Sequence, residues 1–546
     1  MRRWLAAVAR DMHLAWAREG RLRRLAREWP RGIAALVCAA LVSGCAAVRF
    51  DAPRLPSRAF DQPGQTPLGQ SYLPQLAAAP GQSGLHLLAS GPEAFAARGA
   101  LAEAAAHTLD LQYYVVAHDS TATLLMDSAL RAAQRGVRVR LLVDDLNVGD
   151  RESDLALLAG HPNVEVRLFN PFSLRGSFGV AQALEWLGNG DRLNRRMHNK
   201  LWIADGAVAV MGGRNLGDAY FNATPDSDFA DLDVLAAGPV VAEISHSFDL
   251  YWNSAWAVPI AAIVGPPPPA PELEQAWAGL SARALRFRDS DYVRSLRKTA
   301  FGSLVRSGQV SLVIAPAEAL YDLPADAGAN LAETTSTIFP VLRQSVEGAR
   351  REVLMISPYF VPGAKSLEVL CSLVRRGVRV KVLTNSLAST DVPVVHTGYA
   401  RYRPRLLACG VALHELRPNR AAAKGSHFGL SSGASLHTKA IVVDGETVFI
   451  GSMNLDPRSK HLNSEVALRI DSRALGQQMI ELFDDATTLE QAFSVELDEA
   501  GNPGAALHWT AREGDHVVRY SREPLASEWR RLLNQLLGPL TPEDLL

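Results

Sequence analysis

The sequence carries one set of polar residues twice, at the same spacing each time. In residues 196–215, the pattern H-x-K-x4-D followed by G-x2-N is formed by His198, Lys200, Asp205, Gly212 and Asn215. In residues 435–465, the same pattern is formed by His437, Lys439, Asp444, Gly451 and Asn454. Two copies of such a pattern indicate an internal duplication, so the fold must contain two related halves.

The second copy predicts a β-hairpin. In the stretch AIVVDGETVFIG, two runs rich in β-branched residues flank an Asp-Gly dipeptide, which favours a tight turn between two strands. Residues two apart on a strand share one face, so His437 and Lys439 point in the same direction. An imidazole beside an ammonium group suits an anionic phosphate better than it suits an apolar core.

The segments around the two copies alternate between strand and helix patterns. The stretch LHLLASGPEAFAARGALAEAAAHTLDLQYYVV predicts strand, helix, strand, and REVLMISPYFVPGAKSLEVLCSLVRRGVRVKVLTNS repeats that order. Helices that alternate with buried strands predict an α/β fold class. Because of the duplication, we expect two pseudo-symmetric domains, each a mostly buried mixed β-sheet flanked by helices, with the active site at their interface.

Composition suggests where the segments of the chain meet. The run GPPPPAP at 265–271 is a stiff connection between the halves. We therefore expect six segments, namely a signal or lipoprotein segment at 1–45, a loose Pro/Ala/Gln-rich tether at 46–83, a first domain at 84–262, a Pro-rich linker at 263–304, a second domain at 305–500, and a strand with an amphipathic helix at 501–546. That last helix fits either core packing or a membrane surface.

The N-terminus has the features of a targeting segment. Residues 1–31 are rich in Arg, and residues 32–42 are apolar but too few to span a bilayer. Small residues then lead into Cys45, as in a bacterial lipobox, so we expect cleavage and lipidation at Cys45. The alternative is an uncleaved N-terminal anchor. Lipidation predicts a bacterial cell-envelope protein that is membrane-associated, lipid-anchored and faces the periplasm.

Charge and cysteine content exclude some classes of protein. The net charge of 546 residues is −1, which is not the basic excess of a dedicated nucleic-acid binder, and we expect no nucleic-acid partner. No C-x2-C pair is present, so a structural zinc site is not expected. Cys371 and Cys409 pair if the mature protein is extracytoplasmic, or otherwise remain buried free thiols.

At these motifs the chain resembles the phospholipase D superfamily, whose signature is a duplicated HKD motif. It is most similar to the bacterial phospholipase D-type cardiolipin synthases of the C-type branch, in the segments LDLQYYVVAHD, LNRRMHNK, VMGGRNLGDAYF, TNSLASTDVPVVHTGYARYR and GASLHTKAIVVDGETVFIGSMNLDPRS. The resemblance runs from about residue 84 to the C-terminus. It implies that His198 is the nucleophile and His437 the general acid and base, an assignment that the residues alone do not make.

The chemistry of such a pair can be stated without the resemblance. One His attacks a phosphodiester and holds the phosphorus as a phosphohistidine, while a second, protonated His gives a proton to the leaving alkoxide. Lys200 and Lys439 would neutralise the non-bridging oxygens, and we expect Asn215, Asn454 and Ser452 at the phosphate. No metal cluster is visible, and the mechanism needs neither a metal nor another cofactor.

Each imidazole also needs a carboxylate that fixes its tautomer. The resemblance gives this role to Glu465 in the second half, and the first-half candidates are Asp231 and Asp233. Asp205 and Asp444 belong to the catalytic motif by pattern, but their position next to a turn glycine favours a structural role.

The resulting functional hypothesis is a phosphatidyltransferase that makes cardiolipin from phosphatidylglycerol and a second phospholipid, either phosphatidylglycerol or phosphatidylethanolamine. The alternatives are a phospholipase D that transfers to water, a phosphodiesterase nuclease, and a non-catalytic lipoprotein. The expected partners are phospholipids and the membrane, and a monomer suffices because one chain carries both motifs.

Overall fold

The structure of the protein is a computed structural model that describes residues 48–173, 180–224, 228–324, 336–418 and 435–537. The predicted lipidation site, Cys45, lies outside the described residues. Of the described residues, 48–49, 172–173 and 180–190 belong to a small unit of their own. Within its described part, Ser173 N donates a hydrogen bond to Glu185 Oε1 at 2.9 Å. All other described residues belong to one large unit, which contains both copies of the motif.

The first half of the large unit is built on a nine-stranded sheet. Its strands are β1 (Ser83–Leu88), β2 (Thr108–Tyr113), β3 (Arg138–Asp144), β4 (Val164–Phe169), β5 (Leu201–Ala204), β6 (Val208–Gly212), β8 (Asp233–Ala237), β9 (Ala257–Pro259) and β10 (Val313–Ala315), with β7 (Phe229–Ala230) outside it. Their order is β10-β1-β8-β6-β5-β2-β3-β4-β9.

The second half is built on a ten-stranded sheet. Its strands are β11 (Ala317–Tyr321), β12 (Glu352–Ile356), β13 (Arg379–Asn385), β14 (Ala412–Leu416), β16 (Ala440–Val443), β17 (Thr447–Gly451), β18 (Val466–Asp471), β19 (Ala492–Leu497), β20 (Leu507–Glu513) and β21 (His516–Tyr520). Their order is β11-β18-β17-β16-β12-β13-β14-β19-β20-β21. The remaining strand, β15 (Ser435–Leu436), pairs with β7.

The two sheets have the same topology, which confirms the predicted duplication and the α/β fold class. The run β1-β8-β6-β5-β2-β3-β4-β9 corresponds position by position to β11-β18-β17-β16-β12-β13-β14-β19. Strands β2, β3 and β4 are parallel, as are β12, β13 and β14. Each motif hairpin, β5–β6 or β16–β17, is antiparallel and joins the middle of its sheet.

Helices cover the sheets. The described α-helices are α1 (Pro67–Tyr72), α2 (Gly91–Ala104), α3 (Ser120–Gln134), α4 (Glu152–Ala159), α5 (Val180–Leu193), α6 (Pro239–Trp252), α7 (Ala261–Val264), α8 (Ala270–Arg288), α9 (Asp291–Lys298), α10 (Phe301–Ser307), α11 (Ile338–Glu347), α12 (Gly363–Arg375), α13 (Pro393–Ala408), α14 (Pro457–His461), α15 (Arg473–Ala486) and α16 (Glu528–Leu537). Short 3-10 helices occupy Pro63–Gln65, Leu73–Leu76, Asp145–Asn147, Gly149–Arg151 and Asp218–Phe221. Within the described residues, no helix combines the length and the apolar character needed to cross a bilayer.

One apolar core joins the halves. It contains Leu201 and Ile244 from the first half and Ile450 and Phe483 from the second, all almost completely buried. Burial of apolar surface favours association of the two halves. The shared core therefore holds the two motifs in one rigid arrangement.

The predicted tether at 46–83 is not loose. From residue 50 onward it packs on the first half, where Leu68 and Tyr72 are fully buried. The Tyr72 hydroxyl donates a hydrogen bond to Val305 O at 2.8 Å, and Thr66 caps the start of α1. The Pro- and Gln-rich composition concealed apolar residues at helical spacing, which anchor the segment.

The predicted linker at 263–304 is also structured. It contains α8, α9 and most of α10, and the Trp277 indole donates a hydrogen bond to Leu157 O in the first half at 2.8 Å. Strand β10 then pairs with β1, so the first sheet extends past residue 304 to Ala315. Only the first residues of the predicted linker carry the Pro run, and the rest is amphipathic helix.

Two further features concern the second half. Cys371 and Cys409 form a disulfide with a Cα–Cα distance of 5.4 Å, which joins α12 to the end of α13. The C-terminal segment was expected to form one strand and an amphipathic helix; it contributes two strands, β20 and β21, to the second sheet and also contains α16. Helix α16 leaves Trp529 65% exposed.

Candidate active site

The two motif histidines lie on short segments that pair with the opposite half. Met197 forms a parallel bridge with Ser464, and His198 N donates a hydrogen bond to Ser464 O at 2.9 Å. In the same way, β15 pairs in parallel with β7, and His437 N donates to Ala230 O at 2.8 Å. Each histidine is therefore held by backbone hydrogen bonds to the other half.

These pairings bring each histidine against a carboxylate of the other half. His198 Nδ1 lies 2.9 Å from Glu465 Oε2, and His437 Nδ1 lies 2.6 Å from Asp231 Oδ2. The expected pairing within each half was wrong. Glu465 of the second half orients His198 of the first, and Asp231 of the first half orients His437 of the second. The reason is that Ser464 and Ala230, which bind the histidine backbones, immediately precede Glu465 and Asp231.

The second candidate in the first half, Asp233, does not contact a histidine. Its carboxylate accepts a hydrogen bond from Arg98 Nη2 at 2.9 Å and another from Arg214 N at 3.2 Å. Asp233 pairs with Gly212 in the sheet, whereas Asp231 lies just before that strand. Asp233 is thus a buried ion-pair partner and not a histidine-orienting residue.

The tautomer of His198 follows from its neighbours. Ser452 O, which can only accept, lies 3.1 Å from His198 Nδ1. Nδ1 therefore carries the proton, and Nε2 has a free lone pair. The Ser452 hydroxyl donates to Glu465 Oε2 and accepts from Val466 N at 3.0 Å. Ser452 was expected at the phosphate, but the structure places its hydroxyl on the carboxylate that orients His198.

The motif lysines lie beside the histidines. Lys200 Nζ donates to His198 O, and Lys439 Nζ donates to His437 O and lies 3.0 Å from His437 Nδ1. Both lysines are buried, and burial lowers the pKa of Lys200 to about 7 and that of Lys439 to about 8. Their side chains form a concentrated positive site for an anionic group.

The two histidine–carboxylate pairs differ in charge. Burial, followed by the repulsion of Lys200 and Lys439, brings the pKa of His198 well below its ordinary value. Burial also raises the pKa of its partner Glu465 to about 7. In the other pair, burial alone would raise the pKa of Asp231, but His437 and Lys439 bring it below its ordinary value.

His437 therefore faces a carboxylate that is ionised at neutral pH. Burial and the positive charge of Lys439 lower the pKa of His437, and the attraction of Asp231 opposes these two effects. The environment of His198 disfavours the imidazolium form, whereas Asp231 supports a positive charge on His437. This difference suits His198 to attack with a lone pair and His437 to exchange a proton.

The motif asparagines are not equivalent. Asn215 Oδ1 accepts from Val115 N at 3.1 Å, and its Nδ2 donates to the Tyr220 hydroxyl at 3.0 Å. Asn454 Oδ1 is buried and, among the described residues, has no hydrogen-bond partner. Asn215 is thus fixed by its own half, and Asn454 retains an open acceptor.

Two positioning residues at equivalent strand ends were not predicted. Asp144, at the end of β3, accepts from Met197 N at 2.8 Å, and Asn385, at the end of β13, accepts from Leu436 N at 2.9 Å. Each fixes the residue immediately before a motif histidine. The sequence contains a signal for this equivalence, because the pentapeptide RGVRV occurs at 135–139 and again at 376–380, at the start of the two strands.

Asp205 and Asp444 have a structural role, although the motif includes them. Asp205 accepts hydrogen bonds from the backbone N–H groups of Ala106, His107 and Thr108. Asp444 does the same for Arg350, Arg351 and Glu352. Both have positive φ, 54° and 55°, in the turn of their hairpin, where Asp is tolerated. They lock each hairpin to the start of β2 or β12.

Aromatic rings form the walls around the histidines. The Tyr114 ring centre lies 5.0 Å from that of His198, and those of Tyr220 and Phe229 lie 5.3 and 5.1 Å from that of His437. The histidines themselves are only 7% and 6% exposed. The site is therefore narrow and largely shielded from bulk water.

One set of potential metal ligands lies elsewhere in the described part of the chain. Ligand atoms of His396, Glu415 and Glu523 are within 4.8 Å of one another. However, Arg403 contacts Glu415 at 2.8 Å and Glu523 at 2.7 Å, so a guanidinium already neutralises these carboxylates. We interpret this cluster as a buried ion-pair network that joins α13 to the C-terminal segment.

Comparison with known proteins gives the same family for both halves. The family model described as cardiolipin synthase, PLD-like domain, matches residues 100–252 and 342–487. The chain is 40% identical to cardiolipin synthase C of Escherichia coli (strain K12) over 486 residues, which cover 88% of this chain and 99% of that protein. It is 28% identical to cardiolipin synthase A of Pseudomonas entomophila (strain L48), over 73% of this chain and 68% of that one.

A solved structure shares the fold. Phosphatidylserine synthase of Haemophilus influenzae Rd KW20 matches with a TM-score of 0.53 and 13% identity, over 85% of this chain and 95% of that chain. At this identity, the likeness concerns the fold alone.

Proposed function

This chain belongs to the cardiolipin synthase family of phospholipase D-like proteins, and from that premise we propose that it is a phosphatidyltransferase that makes cardiolipin. The observation that carries the proposal is the unequal pair of buried histidines, each oriented by a carboxylate of the other half. The substrates are phosphatidylglycerol and a second phospholipid, either phosphatidylglycerol or phosphatidylethanolamine.

The first step loads the enzyme. Nε2 of His198 attacks the phosphorus of the donor lipid, and the bond from phosphorus to the headgroup oxygen breaks. His437 gives its Nε2 proton to that oxygen, so glycerol or ethanolamine leaves as a neutral hydroxyl. Lys200 and Lys439 stabilise the charge that gathers on the non-bridging oxygens.

The second step transfers the phosphatidyl group. A headgroup hydroxyl of phosphatidylglycerol gives its proton to His437, and its oxygen attacks the phosphorus. The phosphorus–nitrogen bond to His198 then breaks, which releases cardiolipin and restores both side chains. In this mechanism His198 and His437 act from opposite sides of the phosphorus, as the in-line geometry of both displacements requires.

The choice of acceptor separates transfer from hydrolysis. The same chemistry with water would be a phospholipase D reaction, but the low exposure of both histidines favours an acceptor delivered by a bound lipid. A net charge of −1 argues against a nuclease, and complete motifs in both halves argue against a non-catalytic role.

The decisive experiment uses the purified protein and vesicles. Phosphatidylglycerol vesicles with and without phosphatidylethanolamine are incubated with the protein, and the lipids are separated by mass. Cardiolipin is the expected product. Phosphatidic acid without cardiolipin would establish hydrolysis instead, and DNA cleavage without lipid turnover would establish a nuclease.

The protein acts at the membrane in this proposal, anchored through lipidated Cys45 and facing the periplasm as a monomer. Two observations support it: the disulfide between Cys371 and Cys409 is typical of an oxidising compartment, and α16 exposes Trp529, Leu532 and Leu536. Cys45→Ser should remove the lipid and reduce membrane attachment. Unchanged mass and attachment would contradict the anchor.

A further inference from the structure

An apolar cavity lies in the second half, next to the catalytic motif. It has a volume of about 360 Å³ and lies among α11, α12 and β12. Its walls include Leu342, Val346, Met355, Val369 and Leu370. A volume of this size with mainly hydrophobic walls is typical of a small-molecule or lipid site.

One residue of the catalytic motif belongs to the cavity wall. Asn454, a motif residue, lines the cavity, and its Oδ1 is the buried acceptor without a partner among the described residues. Asp456 also lines the cavity and is fixed by Ser459 N, which donates to its carboxylate at 2.7 Å. A ligand in the cavity would thus lie against the motif itself.

The mouth of the cavity is positively charged. Arg343, Lys365 and Lys460 line it, and the Lys460 ammonium lies 4.2 Å from the centre of the Phe339 ring. Lys365 and Arg343 are close enough to Lys460 to add to the effect of burial in lowering its pKa. Helix α12 begins here at Gly363, and the positive end of its dipole adds to the field.

We infer that this cavity binds the acceptor phospholipid, an anionic diacyl phosphodiester such as phosphatidylglycerol. One acyl chain occupies the apolar part, the lipid phosphate binds the cations at the mouth, and the headgroup hydroxyl extends toward Asn454 and His437. This inference rests on the proposed function. It adds that the acceptor lipid, and not the donor, binds in this cavity.

The argument for the acceptor is one of charge. During the second step, the donor phosphorus sits on His198, so Lys200 and Lys439 are engaged with the donor phosphate. The acceptor brings a second phosphate that is not attacked, and this phosphate needs cations of its own. Lys365 and Lys460 supply them on the half that carries His437, the residue that takes the acceptor's proton, whereas the neighbouring Arg343 is paired with Glu347 at 2.7 Å.

The first test reverses the charge at the mouth. Lys460→Glu and Lys365→Glu are assayed in mixed micelles in which the surface fraction of phosphatidylglycerol is varied, with phosphatidylethanolamine as donor. Each variant should raise the KM for phosphatidylglycerol about tenfold, the cost of losing one charge-assisted hydrogen bond. Arg375→Glu makes the same charge change at the far end of α12 and should leave KM unchanged.

A second readout isolates the acceptor from the donor. Transfer of the phosphatidyl group to a short soluble alcohol needs no lipid acceptor, so both mouth variants should perform it at the wild-type rate. An equal loss of both reactions, or an unchanged KM for phosphatidylglycerol, would overturn the inference. Wild-type protein that makes no cardiolipin would refute the proposed function and this inference together.

A steric variant tests the apolar part. Ala364→Trp places a large ring at the exposed mouth. It should reduce cardiolipin formation at least as strongly as Lys460→Glu and Lys365→Glu do, and transfer to the soluble alcohol should be preserved. Ala278→Trp, at an exposed position of α8, is the matched control. Wild-type cardiolipin formation by Ala364→Trp would exclude this cavity as the acyl-chain site.

Discussion

The carboxylate of Glu465, in the second half, lies 2.9 Å from Nδ1 of His198, in the first half. The reciprocal contact joins Asp231 to His437 at 2.6 Å. Neither half contains a complete histidine–carboxylate pair, so the association of the two halves is a condition for the chemistry and not only a packing arrangement.

The first prediction concerns these exchanged carboxylates. Glu465→Gln and Asp231→Asn should each lower kcat by about 10³-fold or more, because a neutral amide neither fixes the tautomer nor stabilises an imidazolium. Steady-state kinetics with phosphatidylglycerol micelles measures the loss. Asp233→Asn is the control, because Asp233 binds Arg98. Asp233→Asn should lower the melting temperature and leave kcat close to the wild-type value. A large loss of kcat at an unchanged melting temperature would restore Asp233 as the orienting residue.

The second prediction is a narrow pH optimum near neutrality. Glu465 has a pKa of about 7 and orients His198 when ionised, so activity should fall as the pH drops below this value. Lys200 also has a pKa of about 7 and stabilises charge when protonated, so activity should fall as the pH rises above it. The dependence of kcat/KM on pH reports both limbs.

Lys200→Arg tests the alkaline limb. An arginine stays charged, which leaves Lys439, with a pKa of about 8, as the next motif group to lose its proton. The alkaline limb should therefore move to higher pH while the acid limb stays in place. An unchanged alkaline limb would assign it to another group.

Features set by residues close together in the sequence could be predicted, and features set by contacts between the two halves could not. The turn at Asp444 and the hairpin around it are local, since adjacent β-branched runs and an Asp-Gly dipeptide determine them, and they were predicted correctly. The exchange of Glu465 and Asp231 depends on how the halves associate, and no local pattern encodes that. Asp231 and Asp233 lie two residues apart, so periodicity cannot separate them, and only the pairing of Asp233 with Gly212 does so.

The same distinction explains the segments that were described wrongly. Pro and Gln near Leu68 and Tyr72 suggested a loose chain, but a few apolar side chains with a tertiary surface to cover are enough to order it. The Pro run after residue 265 is short, and the amphipathic pattern of α8 that follows finds its partner on the first half.

The third prediction separates the two histidines. With a phosphatidyl donor that has p-nitrophenol as its leaving group, departure needs little help from an acid. His437→Asn should then release one equivalent of p-nitrophenol per enzyme and retain the phosphatidyl group on the protein, because the second step lacks its base. His198→Asn should give neither the burst nor the adduct, as measured by absorbance and intact-protein mass. An adduct on His198→Asn would exchange the two roles.

The fourth prediction concerns Asp205 and Asp444, the motif residues of the two repeats that accept hydrogen bonds from backbone N–H groups. Asp205 is fully buried, and Asp205→Ala removes the acceptor of three backbone N–H groups at the start of β2, those of Ala106, His107 and Thr108, so the change should cost about 2 kcal/mol in unfolding free energy. Asp444 is only partly buried, so water can replace it, and Asp444→Ala should cost less. Chemical denaturation followed by circular dichroism measures both. Loss of kcat with full stability would instead give these residues a catalytic role.

The fifth prediction concerns α16. Trp529, Leu532 and Leu536 are 65%, 45% and 57% exposed, so α16 presents an apolar surface that a bilayer can cover. In protein that lacks residues 1–45, the double variant Trp529→Glu, Leu536→Glu should weaken sedimentation with phosphatidylglycerol vesicles at least tenfold. The reason is that two carboxylates replace two apolar side chains that would be buried in the bilayer surface. Leu285→Glu, on the equally exposed Leu285 of α8, should leave sedimentation unchanged. Equal binding by all three proteins would remove α16 from the membrane contact and leave the N-terminal anchor as the only attachment proposed.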